Sequence, residues 1–288
     1  MDHITPMLQT NSNAVSRNLP HGLTHEVERL MLGFDWKVPL DGATMAKLAA
    51  AGEQIADALP RKFEISTSQA HASLGTMSGL SSSDDSELYA VLFDDNEDKT
   101  APFDEKYAEV MVNTDGFYFS VYHKYDGWEK TRALALKLYT VFYEAVLKDI
   151  QIGSIEFRVS NFFGLDEFTG SLVDLLNEDC DSLPPRVFAA DGLWHIDEGY
   201  YEPQGDLDGR YLLVNLNVSQ VQEENRRQLR VRTMHQYDFD METPESQTLE
   251  SIFDRFETLH SINKRLLATV LNPEISLALG LLNEGVTT

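Results

Sequence analysis

Four arginines crowd the segment RRQLRVR, at Arg226, Arg227, Arg230 and Arg232. Run as a strand, it puts Arg230 and Arg232 on one face, opposite Leu229 and Val231, because side chains alternate along extended backbone. Two adjacent guanidiniums repel unless something negative lies between them. The chain's own carboxylates are the favoured counter-charge, and a bound anion such as a nucleotide phosphate is the alternative. A second stretch, DDNEDKTAPFDE, imitates a calcium loop, with Asp94, Asn96 and Asp98 at the first, third and fifth places and Glu105 at the twelfth. Lys99 stands where the sharp turn needs glycine, and Pro102 holds the ninth place. The expectation is a solvated acidic loop that binds no metal.

Other candidates are weaker. Asp206 and Asp208 in GDLDGR could hold Mg²⁺ beside phosphates, but Gly205 and Gly209 make a turn the simpler reading. His21 and His25 in HGLTH have helix-turn spacing, yet Glu26 lies outside the pair, where a metalloprotease needs it between them. A surface loop is expected there. His260 falls on the apolar side of the last helical segment near Asn263, as a hydrogen-bonded core residue or as one facing a cavity. No nucleophile accompanies it. Phosphate-loop and dinucleotide glycine patterns are absent from the sequence.

The bulk composition narrows the classes. With 288 residues, 42% of them hydrophobic, the chain can bury a core in one large domain or two small ones. A formal charge of −24 repels phosphate backbones and anionic lipid heads. Direct nucleic-acid and membrane binding are therefore disfavoured, while a basic protein partner is suited. Cys180 is the single cysteine, which excludes an internal disulfide and a cysteine-based zinc site. The start, MDHITPMLQTNSNAVSRNLP, lacks an apolar signal core, and no stretch approaches the ~20 apolar residues of a membrane span. A cytoplasmic protein is expected.

Hydrophobic spacing then lays out the elements. RLMLGFDWKV alternates as a strand, with Leu30, Leu32, Phe34, Trp36 and Val38 on one side. Asp41 caps a helix from Ala43 to Leu59, ended by Pro60. KFEIS and ELYAVLFDD are strands, separated by a mobile Ser-rich loop. YAEVMVNTDGFYFSVYHKY is a hairpin turning at Asn113–Gly116. YDGWEKTRALALKLYTVFYEAV is a helix, capped by Asp126 and Glu129, with a core stripe of Leu134, Leu138, Val141, Phe142 and Ala145. Trp128, Tyr139 and Tyr143 are left over, and some are expected to line a cavity.

GSIEFRVSNFF is a strand carrying Ile155, Phe157, Val159 and Asn161 on one side, and TGSLVDLLNED is a short helix. A loop with Pro184 and Pro185 follows. RYLLVNLNVSQ and RQLRVRTMHQYDFDM are strands joined by an irregular hairpin. The closing helix is capped by Thr243 with Pro244 next, and buries Leu249, Ile252, Phe253, Phe256, Leu259, Asn263, Leu266, Leu267 and Val270.

Each half thus reads strand, helix, further strands, long helix. The segment Trp128–Leu147 takes the place in the first half that Leu249–Leu271 takes in the second. The expected fold class is α+β: two similar lobes, each a curved, mainly antiparallel sheet covered by a long helix, in the order of saddle and helix-grip architectures. The boundaries are a flexible arm at 1–23, a first lobe at 24–150 with its loop at 66–86, and a second lobe at 151–288.

Three stretches carry a resemblance. YDGWEKTRALALKLYTVFYEAV followed by IGSIEFRVSNFF, the closing LHSINKRLLATVL, and LMLGFDWKV resemble a sporadically distributed bacterial family of unknown function. Its pattern is Tyr-x-Gly-Trp-Glu, a long helix, a strand rich in Arg and Asn, and a closing helix in which His follows Leu. This chain departs from it at Val159-Ser160-Asn161, where the family carries aromatic and Asn residues. The resemblance brings no reaction and no catalytic residues; the family's patchy distribution suits defence-related or mobile genes.

The expected function is a non-enzymatic, acidic, cytoplasmic protein-binding module, in an antitoxin, immunity or phage-defence accessory role, with no cofactor. The alternative is a sensor or enzyme for a small anion or nucleotide, with Trp128, Tyr143, Arg158, Arg230, Arg232 and His260 converging on a cavity between sheet and helix. A third reading is nucleic-acid mimicry by rows of surface carboxylates.

Overall fold

Alternation along the chain produces strands that bury one face and leave the other polar. The computed structural model describes residues 19–67, 87–98, 106–123, 125–190, 192–204, 210–223, 225–239 and 247–282. Its strands are β1 (Thr24–Trp36), β2 (Arg61–Ser66), β3 (Leu88–Asp94), β4 (Ala108–Asn113), β5 (Gly116–Tyr122), β6 (Ile152–Gly164), β7 (Trp194–Gln204), β8 (Arg210–Glu223) and β9 (Arg226–Asp238). The α-helices are α1 (Gly42–Ala51), α2 (Trp128–Ala145), α3 (Leu249–Val270) and α4 (Pro273–Ala278). The protein is α+β, and its described strands form one nine-stranded antiparallel sheet in the order β2-β3-β4-β5-β1-β6-β9-β8-β7.

The helices pack on one face of this sheet. Phe34 of β1 meets Tyr139 of α2 and Phe256 of α3, with ring centroids 4.5 and 5.3 Å away. The main core joins Leu30, Leu32, Phe117, Phe119, Ile155 and Phe157 to Leu48, Leu138, Phe142 and Phe253. A second cluster joins Phe163, Leu216, Val218, Leu229 and Val231 to Leu267, Val270 and Ile275. Polar side chains lie along the boundary between the two clusters. Thr233 donates its hydroxyl to Asn263 Oδ1, and His235 Nε2–H donates to the same oxygen at 3.2 Å.

Several local expectations change. Asp41 does cap α1, accepting from the Thr44 N–H at 2.7 Å, but the helix ends at Ala51 and a 3₁₀ turn continues to Ile55. There Gly52 lies under Phe93; a Cβ on it would sit 2.0 Å from the ring. No Asp126 cap forms on α2. The N-cap is Gly127, at φ 99°, and Asp126 pairs with Lys130 instead. The buried stripe of α2 is rotated from the expected one: Trp128, Thr131, Ala135, Leu138, Tyr139 and Phe142 are buried, Leu134 and Val141 pack half-buried at the margin of the core, and Ala145 is exposed. Tyr139 fills the core rather than a cavity wall.

α3 begins at Leu249 with Thr248 as its N-cap; Thr243 and Pro244 lie outside the described residues. It buries Ile262 in addition to most of the expected stripe. TGSLVDLLNED contains one 3₁₀ turn, Leu172–Asp174, in place of a helix. The connection from β8 to β9 is tight, since pairing continues to Glu223↔Arg226 and Asn225 takes φ 65°. β7 went unforeseen. The Ser-rich loop beyond Thr67, the arm before Leu19, Asp206, Asp208 and the stretch from Lys99 to Glu105 lie outside the described residues. No helix among the described residues is long and apolar enough to cross a membrane.

Candidate functional site

The sheet face turned away from the helices carries a dense set of paired polar side chains. At its centre β1 runs between β5 and β6, and the β1–β6 register slips by one residue. Val27 pairs with Asn161, but Arg29 pairs with Ser160, so Glu28 is an extra residue in a β-bulge. The slip inverts the alternation of β1. Glu26 lies beside Phe162 on the uncovered face, and His25 turns to the helix side. There His25 Nε2–H donates to Asn161 Oδ1 at 3.1 Å and its ring meets Phe163 at 4.8 Å. Burial lowers the His25 pKa, opposed by the Asn161 bond. The expected surface loop at this histidine is therefore a strand.

The bulge opens a cleft of about 470 Å³. It is lined by Glu26 and Glu28 of β1, His123 just after β5 and Phe162 of β6, and by Glu223, Arg226, Gln228 and Arg230 of the β8–β9 hairpin. Arg230 answers the question its sequence posed. Its two terminal nitrogens each donate to a Glu223 oxygen at 2.7 Å, and one lies 3.3 Å from Glu28 Oε1. Glu28 Oε2 accepts from the Ser160 hydroxyl at 2.6 Å. Glu26 Oε1 lies 2.7 Å from His123 Nδ1, and His123 holds a left-handed φ of 43°. Two polar atoms of the lining stay without hydrogen-bond partners among the described residues: Gln228 Oε1 and Arg230 Nε.

Beyond the cleft the same face is a lattice of paired polar groups. Asp35 accepts from the Tyr118 hydroxyl at 2.5 Å and the Ser154 hydroxyl at 2.8 Å. Arg29 donates to Ser120 at 3.0 Å and lies 5.2 Å over the Tyr122 ring. Glu109 takes the Tyr122 hydroxyl at 3.1 Å and pairs with Lys106. Burial, then the Glu109 charge, push the Tyr122 phenol up to about 12. Arg158 pairs with Glu156, and burial followed by the Arg29 charge lowers its pKa.

The six sequence candidates therefore divide between the two faces. Arg158, Arg230 and Arg232 share the uncovered face, with Arg158 opposite Met234 and Arg232 opposite Ser160 across the β6–β9 ladder. Trp128 and His260 meet on the helix side, their rings stacked with centroids 4.3 Å apart. Burial lowers His260 to about 4, against the opposing pull of Glu257. Tyr143 packs at the margin of the main core, 5.9 Å from Tyr139. The sheet separates the arginines from the aromatics, so they line no common cavity.

Asp94 of the calcium-like stretch is also redirected. It is 0% exposed and forms a two-point pair with Arg61, both bonds 2.7 Å long. It is no solvated loop residue. Among the described residues no group of three or more His, Cys, Asp or Glu side chains is placed to hold a metal. A smaller concavity of about 320 Å³ beside Val38, Leu40 and Ile150 includes Asp41, whose carboxylate caps α1.

Sequence reasoning missed Glu26, Glu28, His123, Phe162, Glu223 and Gln228. Their signal exists only in part. Strict alternation would put Glu26 and Glu28 on the side of Leu30 and Leu32, and only the bulge removes Glu26 from it. Comparison with protein-family models finds no match, and comparison with curated proteins finds none.

Proposed function

We propose that the chain is a non-enzymatic binding protein whose uncovered sheet face docks a basic protein partner. The observation that carries this reading is the cleft on that face, where the carboxylates of Glu26, Glu28 and Glu223 outnumber the guanidiniums of Arg226 and Arg230, in a chain of formal charge −24. Polar groups already fixed by hydrogen bonds need little reordering on association, which favours an interface. Opposite charge accelerates encounter and selects the partner. The Glu223 and Glu28 contacts of Arg230 weigh against a phosphate ligand there, because the guanidinium already has its anions.

The proposal includes a two-lobed saddle. The strand order supports it: β5, β4, β3 and β2 extend from β1 on one side, and β9, β8 and β7 extend from β6 on the other. In this reading α2 closes a lobe at 24–150 and α3 one at 151–288. A cytoplasmic antitoxin, immunity or phage-defence accessory role is the setting that suits such a module.

Cross-linking of the full chain to captured host proteins tests the docking reading. The expected partner is basic, cross-links to the uncovered face, and is released as salt rises, because screening weakens attraction between exposed charges. Cross-links confined to the helix side, or capture indifferent to salt, would overturn the proposal.

A further inference from the structure

We propose that the cleft at the β1 bulge receives an arginine side chain of that partner, together with the peptide group that follows it. The inference rests on the basic-partner reading and assigns its anchor. Cleft volume supports it first: about 470 Å³ falls within the ~300–1,000 Å³ of ordinary ligand clefts.

The hydrogen-bond inventory then selects the occupant. Arg230 uses both terminal nitrogens on Glu223 and Glu28, and Glu28 spends its second oxygen on Ser160. Gln228 is 8% exposed, and its carbonyl oxygen on the cleft lining has no donor among the described residues. A buried acceptor left without a donor is costly, so the occupant must donate. Glu26 holds His123 through one oxygen, and its carboxylate supplies a further acceptor on the same lining. Three carboxylates against the guanidiniums of Arg226 and Arg230 leave the lining net negative, which favours a cation, and Phe162 adds an aromatic side chain to it. A guanidinium meets all three demands at once: several in-plane donors, positive charge and a face that stacks on aromatics.

The remaining unpartnered atom excludes a simpler cation. Arg230 Nε is a buried donor on the lining and needs an acceptor. A polyamine has none. An arginine residue within a peptide brings its own backbone carbonyl.

The test titrates the full chain with the capped tripeptide acetyl-Ala-Arg-Ala-amide, followed by proton–nitrogen NMR. Saturable shifts at Glu26, Phe162 and Gln228 are expected, with a lysine counterpart binding more weakly and spermidine more weakly still. Glu26→Gln and Gln228→Leu should each weaken the arginine peptide by about tenfold, the loss of one charge-assisted or buried hydrogen bond. Glu26 is exposed, so Glu26→Gln keeps the test valid if Gln228→Leu unfolds the protein. Shifts only elsewhere, undiminished binding by Glu26→Gln, or preference for spermidine would overturn the arginine anchor. A long lysine–serine peptide separates the two readings. If it binds parent and Glu26→Gln equally while the arginine peptide fails, the anchor falls and the basic-partner reading stands. If neither peptide binds at low salt, both fall.

Discussion

The His260 imidazole lies flat on the Trp128 indole, with ring centroids 4.3 Å apart and planes 14° from parallel. The indole Nε1–H donates to Glu257 at 2.6 Å. The stack ties α2 to α3, and Phe157 of β6 meets both rings from below.

Acid should loosen this contact. Burial drives His260 and His235 to about 4, while both return to about 6.5 when the chain unfolds. Between those values the unfolded chain binds more protons, so stability is complete above about pH 6.5 and falls as pH drops toward 4. Each histidine contributes on the order of 2–3 kcal/mol to that slope. Denaturant midpoints measured from pH 7 to 4 should shift downward, and His260→Gln or His235→Gln should each flatten the trend. An unchanged slope in both variants would contradict the neutral buried imidazoles.

The Arg61–Asp94 pair should behave as a structural charge pair. Its members are 1% and 0% exposed. Asp94→Ala leaves a buried guanidinium with its main anion removed and should cost about 3–5 kcal/mol. Calcium should neither raise the melting temperature of the parent protein nor rescue the variant.

Tyr139 and Leu138 are neighbours on α2 with opposite expectations. The Tyr139 hydroxyl is buried without a partner among the described residues. Tyr139→Phe removes that group and should be neutral or stabilising by up to about 1 kcal/mol. Leu138→Ala, at a site with 0% exposure, should cost about 2–5 kcal/mol. Urea unfolding of the two variants checks both signs.

The bulge predicts that removing the whole residue costs no more than removing its side chain. Glu28→Ala loses the Ser160 and Arg230 contacts and should cost about 1–2 kcal/mol. Deleting Glu28 takes out the extra residue and leaves Val27 opposite Asn161, Glu26 opposite Phe162 and His25 opposite Phe163. The deletion loses the same contacts and should cost a similar amount, about 1–2 kcal/mol. A deletion variant that melts far below Glu28→Ala would refute the register.

Much of the sheet was readable in the sequence because one face is mainly apolar. Leu212, Val214, Leu216 and Val218 alternate without a break, and each is buried. β7 escaped because its inward positions include Glu198 and Glu202 and its run contains Gly199 and Pro203, which lower strand propensity at an edge. The α2 stripe was misplaced by an angle, since Ala135 and Thr131 carry little hydropathy signal although both are buried. The Arg230–Arg232 face was legible from parity alone. The cleft was not, because a one-residue slip at Glu28 depends on how β1 meets β6, 132 positions away from Ser160.

The chain's two halves meet through the pairing of β1 with β6, each thirteen residues long. A backbone cut between Ile150 and Gln151 would give each fragment one of these strands with an unsatisfied hydrogen-bonding edge. The edges are mutual templates, matched from Thr24↔Gly164 to Trp36↔Ile152. Co-expressed fragments should therefore reassemble into a nicked but working molecule, a natural split reporter whose halves recognise each other by strand complementation.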